Sequence, residues 1–321
     1  MTALAIHGGA GALPPSDMTP ERAEKFHTAL HNAIGVGQRL LAAGRPSLDA
    51  VEATVVALED NPLFNAGRGS SFTREGAVEM EASIMDGATQ QAGAALLLER
   101  VRNPVRLARR VMERTPHVAL GGAAAERFAV AEGLVLESKD YFFTQDRWDA
   151  MVRLRGTAET SLSEDVVVKG APLTGPDAMG TVGAVACDAA GNLAAATSSG
   201  GTTNKFAGRM GQAGLVGAGV YAHNATCAVS CTGQGEAFMR GVIAHDVAAH
   251  IEHRGLSLAA AAELVVRTRL PGRGGIIAVD RHGNCTLPYN TVGMYRAWVD
   301  THGVIHTAIY ESSRAWPAIP A

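Results

Sequence analysis

Apolar positions recur along this chain with two different periods, and the places where the period changes outline its elements. Residues 3–7 form a short apolar run that reads as a buried strand ending in His7-Gly-Gly-Ala-Gly11. Thr19 followed by Pro20 is a helix start, because a threonine hydroxyl caps free N–H groups and proline at the first position lacks the N–H it would leave unpaired. Phe26, Leu30 and Ile34 then repeat at helical spacing up to a stop near Gly44. Ser47 opens a second helix through Val51, Val55 and Leu58, halted by Asn61-Pro62. Leu63 to Gly76 is a glycine-rich loop, residues 93–98 a strand, and Asn103-Pro104 the start of a helix that ends before Pro116. Residues 121–133 read as an alanine-rich helix. Periodicity fades over 137–180, which carries scattered charge and the run Gly170-Ala-Pro-Leu-Thr-Gly-Pro-Asp177, the marks of a linker.

Beyond position 180 the period shortens to that of strands. Val182 to Ala186, Asp188-Ala-Ala-Gly-Asn192 and Leu193 to Thr197 read as strand, turn, strand. The plan recurs as Ile276 to Val279, Asp280-Arg-His-Gly-Asn284 and Cys285 to Tyr289, with helices predicted at about 234–254 and 257–269 between the two copies. Small or apolar residues on both faces of these strands imply a sheet covered on both sides. The order of helices and strands points to an α+β fold with helices packed on two stacked sheets.

Composition narrows the function. The 321 residues allow one large domain or two ordinary ones, and 47% hydrophobic against 18% charged residues fits a globular chain with a sizeable core. A net charge of −3 gives no electrostatic basis for holding nucleic acid or an anionic membrane. Cys187, Cys227, Cys231 and Cys285 contain no CxxC pair, so buried thiols of a reducing compartment are expected rather than a zinc site or disulfides. The first residues lack the basic flank and apolar core of a signal peptide, and no segment is apolar enough to span a bilayer. The cytoplasm is the expected location, and the glycosylation pattern Asn224-Ala-Thr226 then carries no weight.

The candidate chemistry centres on Gly180-Thr181, where a turn-forming glycine meets a hydroxyl residue opening an apolar strand. If that bond is cut, Thr181 acquires a nucleophilic hydroxyl and a free α-amine with a pKa of about 7.7–8.0, near that of a useful general base. By itself a glycine–threonine pair is an ordinary loop-to-strand junction. Four other segments bear on it. Thr197-Ser-Ser-Gly-Gly-Thr-Thr-Asn204 offers a second hydroxyl, and Gly208-Arg209-Met210-Gly211 a guanidinium fork for a carboxylate. Ser230-Cys231-Thr232-Gly233-Gln234-Gly235-Glu236 can bring a hydroxyl and backbone N–H groups together at a helix start. The carbonyls of Leu58 to Gly69 suit a hard cation. His245, His250 and His253 share a predicted helix without the spacing of a zinc motif, and His7 reads as a structural, hydrogen-bonded histidine.

Taken together these segments resemble the plant-type asparaginases, or isoaspartyl peptidases, of the N-terminal nucleophile hydrolases. The resemblance spans essentially the whole chain. It includes Ile6-His-Gly-Gly-Ala-Gly11, Pro62-Leu-Phe-Asn-Ala-Gly67, Ile84-Met-Asp-Gly87, Gly180-Thr-Val-Gly-Ala-Val185, Thr203-Asn-Lys205, Cys231-Thr-Gly233 and Gly293-Met-Tyr-Arg296. It implies a single domain over 1–321 with a four-layer αββα sandwich. It also implies self-cleavage at Gly180–Thr181 into an α subunit (1–180) and a β subunit (181–321), with two such pairs assembling. Thr181 would be the nucleophile, Ser199 the assisting hydroxyl in place of a threonine, and Thr232 with Gly233 the oxyanion-stabilising pair. Arg209 would hold the substrate α-carboxylate, Gly235 would contact the amine and Asn65 would line the site. The carbonyls of Leu58, Glu59, Asn61, Phe64, Ala66 and Arg68 would hold a structural sodium ion, with no catalytic cofactor. The resemblance breaks at Gln212, where an aspartate would pair with the substrate ammonium, and Ala213-Gly214 replaces serine-proline. The substrates implied are β-aspartyl dipeptides and L-asparagine. A modified or N-acylated aspartyl compound, or an uncleaved non-catalytic homologue, is the alternative.

Overall fold

In the computed structural model, which describes residues 2–155 and 180–316, the first strand runs further than the five-residue apolar run. β1 is Ala3–Ala10, and Thr19 caps α1 (Pro20–Ala42) by accepting the Arg22 N–H. After α2 (Ser47–Glu59) come β2 (Met80–Asp86), β3 (Ala92–Leu98), α3 (Pro104–Arg114), β4 (Ala119–Gly121), α4 (Gly122–Ala131) and α5 (Gln145–Arg155). From residue 180 onward lie β5 (Val182–Cys187), β6 (Leu193–Ser199), β7 (Val220–Ala222), β8 (Ala228–Gly233), α6 (Gly235–Gly241), α7 (Ile243–Arg254) and α8 (Leu258–Arg269). The chain closes with β9 (Gly274–Val279), β10 (Cys285–Thr286), β11 (Met294–Val299), β12 (Ile305–Ala308) and β13 (Ser313–Trp316).

Among the described residues the strands form two sheets, one of nine in the order β13-β12-β11-β1-β5-β6-β2-β3-β4 and one of four in the order β10-β9-β8-β7. Helices α1, α2 and α3 lie against the large sheet, β8 and β9 of the small sheet meet β1, β5 and β6, and α7 and α8 lie against β8 and β9. This is a mixed α/β architecture whose strands sort their side chains by parity. Val182, Ala184 and Ala186 join the cluster containing Leu30, Val51 and Leu58, whereas Val185 and Cys187 join Val220, Ala228 and Ile277 between the sheets. A one-residue slip would exchange these faces, so burial on both sides pins the register.

Three sequence expectations change. The stretch expected to be linker from 137 begins instead with a 3-10 turn (Lys139–Phe142) and α5, while the rest of it, with Gly170–Asp177, lies outside the described residues. The α5 pattern is masked by Arg147, a buried charge that donates Nε to the Gly69 carbonyl at 2.9 Å where an apolar residue would be expected. The strand expected over 285–289 keeps only Cys285–Thr286, with Tyr289 bridging singly to Gly275.

The helix expected over 234–254 is broken at Val242, which takes φ +50° and ψ +47° and so turns the chain between α6 and α7. A β-branched residue in this left-handed region is strained by roughly 1–2 kcal/mol, and Val242 is half exposed, so packing returns little of that. Val242→Asn is therefore expected to raise unfolding stability by about 1 kcal/mol, because asparagine tolerates this conformation. The check is a higher urea midpoint at unchanged slope.

Candidate active site

Sheet register brings the candidate residues into one row. β5 pairs β6 with Val182 opposite Ser198, so one step on places Thr181 beside Ser199, and β2 pairs β6 with Glu81 opposite Ser199. Thr181 is buried, and its Oγ1 donates to Ser199 Oγ at 3.1 Å and accepts from Gln212 Nε2 at 3.1 Å. Ser199 Oγ also accepts the Gly201 N–H at 2.9 Å. Both lone pairs of Ser199 are thus engaged, which fixes the direction of the Thr181 hydroxyl proton.

The preceding row holds the backbone. His7 and Gly183 are opposite each other, as are Gly183 and Thr197, and Thr197 and Ser83. His7 Nδ1 lies 2.9 Å from the Thr181 carbonyl, and Nε2 2.8 Å from Ser230 Oγ. A carbonyl only accepts, so Nδ1 carries the proton and Nε2 receives the Ser230 hydroxyl. Thr197 Oγ1 sits 2.7 Å behind Ser230 Oγ. Burial drives the His7 pKa down to about 3, against the raising effect of the bond to Thr181, so the ring is neutral. Gly183 makes the row possible: a Cβ there would fall 2.0 Å from Ser230 Oγ and 2.6 Å from His7 Nε2.

Thr232 approaches from the small sheet. It is fully buried, accepts the Ala10 N–H at 2.9 Å, and lies 2.8 Å from where a Cβ on Gly180 would sit. Gly9, with φ +125°, packs against the same junction, where a Cβ would meet Gly180 O at 2.8 Å. The Gly180–Thr181 junction is therefore held between β1 and the end of β8, with the Thr232 hydroxyl against it and Gly233 next in line.

The remaining candidates gather at the start of α6. Arg209 Nε and Nη2 both donate to Glu236 Oε1, at 3.0 and 2.9 Å. A Cβ on Gly235 would lie 2.7 Å from both Arg209 Nη2 and Gln212 Oε1, so this glycine lets the cation and the amide stand side by side. Asn65 braces the chain after Ser199, donating to Gly201 O at 2.6 Å while its backbone carbonyl accepts the Gly200 N–H at 3.0 Å. Thr181, Ser199, Arg209, Gln212, Thr232 and Gly235 are thus assembled, and Asn65 supports them from one loop away.

The loop after α2 is tightly curled. A Cβ on Gly67 would meet Glu59 O at 2.5 Å, and one on Gly69 would meet Phe64 O at 2.1 Å. Backbone N–H groups of Asn61, Phe64 and Gly69 sit at 3.2 Å from the carbonyls of Leu58, Asn61 and Ala66. The loop thus crowds carbonyl oxygens around small residues, the donor chemistry a hard monovalent cation uses. Among the described residues no group of three or more His, Cys, Asp or Glu side chains is placed to hold a metal ion, and no helix is long and apolar enough to cross a membrane. The four cysteines form no disulfide, and burial pushes the Cys285 thiol up to about 12.

Sequence reasoning missed Glu81 and Glu236 as site components. Glu81 is buried in β2, and Glu236 holds Arg209. The available signal was a glutamate and a serine at alternate positions within the run Met80–Met85.

The asparaginase family model matches residues 1–309. The chain belongs to that family. It is 50% identical to the isoaspartyl peptidase of Salmonella typhimurium over 310 residues, covering 96% of this chain and 98% of the relative. It is 49% identical to the isoaspartyl peptidase of Escherichia coli, covering 96% and 95%. The human isoaspartyl peptidase/L-asparaginase is 40% identical over 297 residues, 91% of each chain.

In this asparaginase-family chain His7 gives a pH test. Its folded pKa of about 3 lies below the unfolded 6.5, so the unfolded chain binds the extra proton between those values. The stability His7 contributes is complete above pH 6.5 and is lost as pH falls towards 3, at up to about 1.4 kcal/mol per unit. Denaturant unfolding at stepped pH should show a steeper acid loss for the parent than for His7→Gln.

Proposed function

We propose that this chain is a self-cleaving threonine-nucleophile amidohydrolase that hydrolyses β-aspartyl dipeptides and L-asparagine to release L-aspartate. The observation that carries this reading is the Thr181 hydroxyl, buried at a strand start, donating to Ser199 and flanked by Gln212 and the Thr232–Gly180 contact. The names of the relatives agree in chemistry.

In the unbroken chain Thr181 Oγ1 attacks the Gly180 carbonyl carbon as its proton leaves through Ser199. The bond to the Thr181 nitrogen breaks, the nitrogen takes a proton, and water opens the resulting ester. Thr181 then carries a free amine, giving an α subunit of 1–180 and a β subunit of 181–321. In turnover the amine accepts the hydroxyl proton as Oγ1 attacks the substrate's side-chain amide carbonyl, and returns it to the departing ammonia or amino acid. Thr232 and the Gly233 backbone stabilise the oxyanion. Water hydrolyses the acyl ester. Arg209 takes the α-carboxylate, and Gln212 and Gly235 face the amine.

The same reading takes the helices and sheets as a four-layer αββα sandwich, supported by α1–α3 against the large sheet and α7–α8 against the small one. It assigns the carbonyls of Leu58, Glu59, Asn61, Phe64, Ala66 and Arg68 to a sodium ion that stiffens the loop bearing Asn65. It places two αβ pairs together in the cytoplasm.

One observation favours a second substrate. Gln212 is neutral and spends its amide N–H on Thr181. A charge-assisted hydrogen bond is worth roughly 1.5–3 kcal/mol, so a free α-ammonium binds about tenfold to a hundredfold less tightly here than to an aspartate. N-acylated aspartyl compounds carry no such ammonium.

Denaturing electrophoresis tests maturation. Dividing 33.3 kDa in proportion to the two chain lengths gives bands near 19 and 15 kDa. Thr181→Ala is expected to remain one band with no turnover, and a parent protein fully active as one unbroken band would sink the reading. Steady-state kinetics test the substrate. Gln212→Asp is expected to lower KM for asparagine about tenfold, whereas faster turnover of N-acetyl forms by the parent would favour the second substrate.

A further inference from the structure

Glu79 and the alternate β2 residues Glu81 and Ser83 share one side of the strand. All three reach the segment that carries Arg209 and Gln212. The Gly208 N–H donates to Glu79 Oε2 at 2.8 Å, and the Gly211 and Ala213 N–H groups donate to Glu81 Oε2 and Oε1 at 2.7 and 3.2 Å. The Ser83 hydroxyl donates to the Ala213 carbonyl. Glu81 is the central contact. Its two oxygens hold the chain immediately before and after Gln212, and both act as acceptors, the role of an ionised carboxylate. Burial leaves its pKa raised, with Arg209, Lys205 and the two N–H groups offsetting part of the shift.

The held segment has little structure of its own. It contains Gly208, Gly211 and Gly214, and its one regular piece is a 3-10 turn at Gln212–Gly214. A chain of this kind has many conformations, and an external anchor must select one. The space for that anchor is made by Gly211, where a Cβ would fall 2.5 Å from Glu81 Oε1. Glu81 also stands opposite Ser199 in the register that places Thr181. One carboxylate thus ties the substrate-holding segment to the strand row of the nucleophile.

We infer that Glu81 is a positioning residue of the reaction: it sets Gln212 and Arg209 against Thr181 without touching substrate. This rests on the function proposed above. Arg209 and Gln212 grip parts of the substrate that do not change during the reaction, so their misplacement weakens ground and transition states alike and appears in KM.

The test is steady-state kinetics of the matured parent, Glu81→Gln and Glu81→Asp on a β-aspartyl dipeptide. The amide of Glu81→Gln turns an NH2 towards one of the two N–H donors, so one anchor is lost. KM is expected to rise about tenfold or more, the size of one charge-assisted hydrogen bond. kcat should stay within about threefold, with self-cleavage intact and the melting midpoint within about 3 °C. Glu81→Asp keeps the charge with a shorter reach and should recover most of the KM. If the amide variant does not accumulate folded, Glu81→Asp alone should show the same split at smaller size. Unchanged KM in every folded variant overturns the inference, as does a loss confined to kcat or shared with melting and self-cleavage. A parent that hydrolyses neither β-aspartyl dipeptides nor asparagine sinks the functional reading and Glu81 with it. An active parent with indifferent variants sinks Glu81 alone.

Discussion

The site depends on a band of polar side chains trapped between two sheets. Thr181, Ser199 and Glu81 in one row, and His7, Thr197 and Ser83 in the next, share the inward face of the large sheet. Elsewhere that face is apolar, with Ala5, Met85, Val185, Cys187, Leu193 and Ala195 among its residues. Buried polar atoms are tolerated only when paired, so each hydroxyl here is committed to a partner and its direction is set. The rigidity of the candidate nucleophile follows from desolvation: with water removed, an unpaired rotamer of Thr181 or Ser230 would leave a donor or acceptor unsatisfied.

Neutral groups do most of this holding. His7 is uncharged through burial, so it anchors the Thr181 carbonyl without placing a cation beside the hydroxyl. The charges stand at the other end of the row, where Arg209 meets Glu236, and Lys205, itself pulled down to about 8 by burial, donates to the Glu79 and Gly200 carbonyls. Gln212 stands between Thr181 and Arg209, so the ion pair reaches the hydroxyl only through a neutral amide. The two cations are themselves committed, Arg209 to Glu236 and Lys205 to two carbonyls, and neither donates to the Thr181 hydroxyl.

How much of this was legible in the sequence depended on whether burial and polarity agreed. Thr19-Pro20 announced its helix because cap chemistry is local, α2 begins at Ser47 as expected although no side chain caps it, and Val182–Ala186 and Leu193–Thr197 read as strands because both faces are apolar. The Gly-Thr junction was legible as a candidate, and the segments at Ser199, Arg209, Thr232 and Asn65 do converge on it. Where a buried residue is charged, the pattern fails. Arg147 hid α5, and Glu81 with Ser83 hid β2, each because its partner is a backbone group distant in sequence. Val242 hid the break between α6 and α7, since no propensity places valine in a left-handed turn. The pairing of Arg209 with Glu236 was equally invisible, as it requires α6 to dock before the two residues meet.

The strand order has a mechanical consequence. β1 lies between β11 and β5, and β2 lies beside β6, so strands from before and after position 180 are interleaved across the large sheet. Severing the chain at Gly180–Thr181 removes a covalent link but no ladder of the sheet. Neither fragment holds a contiguous share of the large sheet: one would lose the middle strand joining its two groups, and the other would be left with β1 stranded apart from β2–β4. The intact chain brings these interleaved strands together within one molecule, whereas separately made fragments would each expose unpaired strand edges until they met.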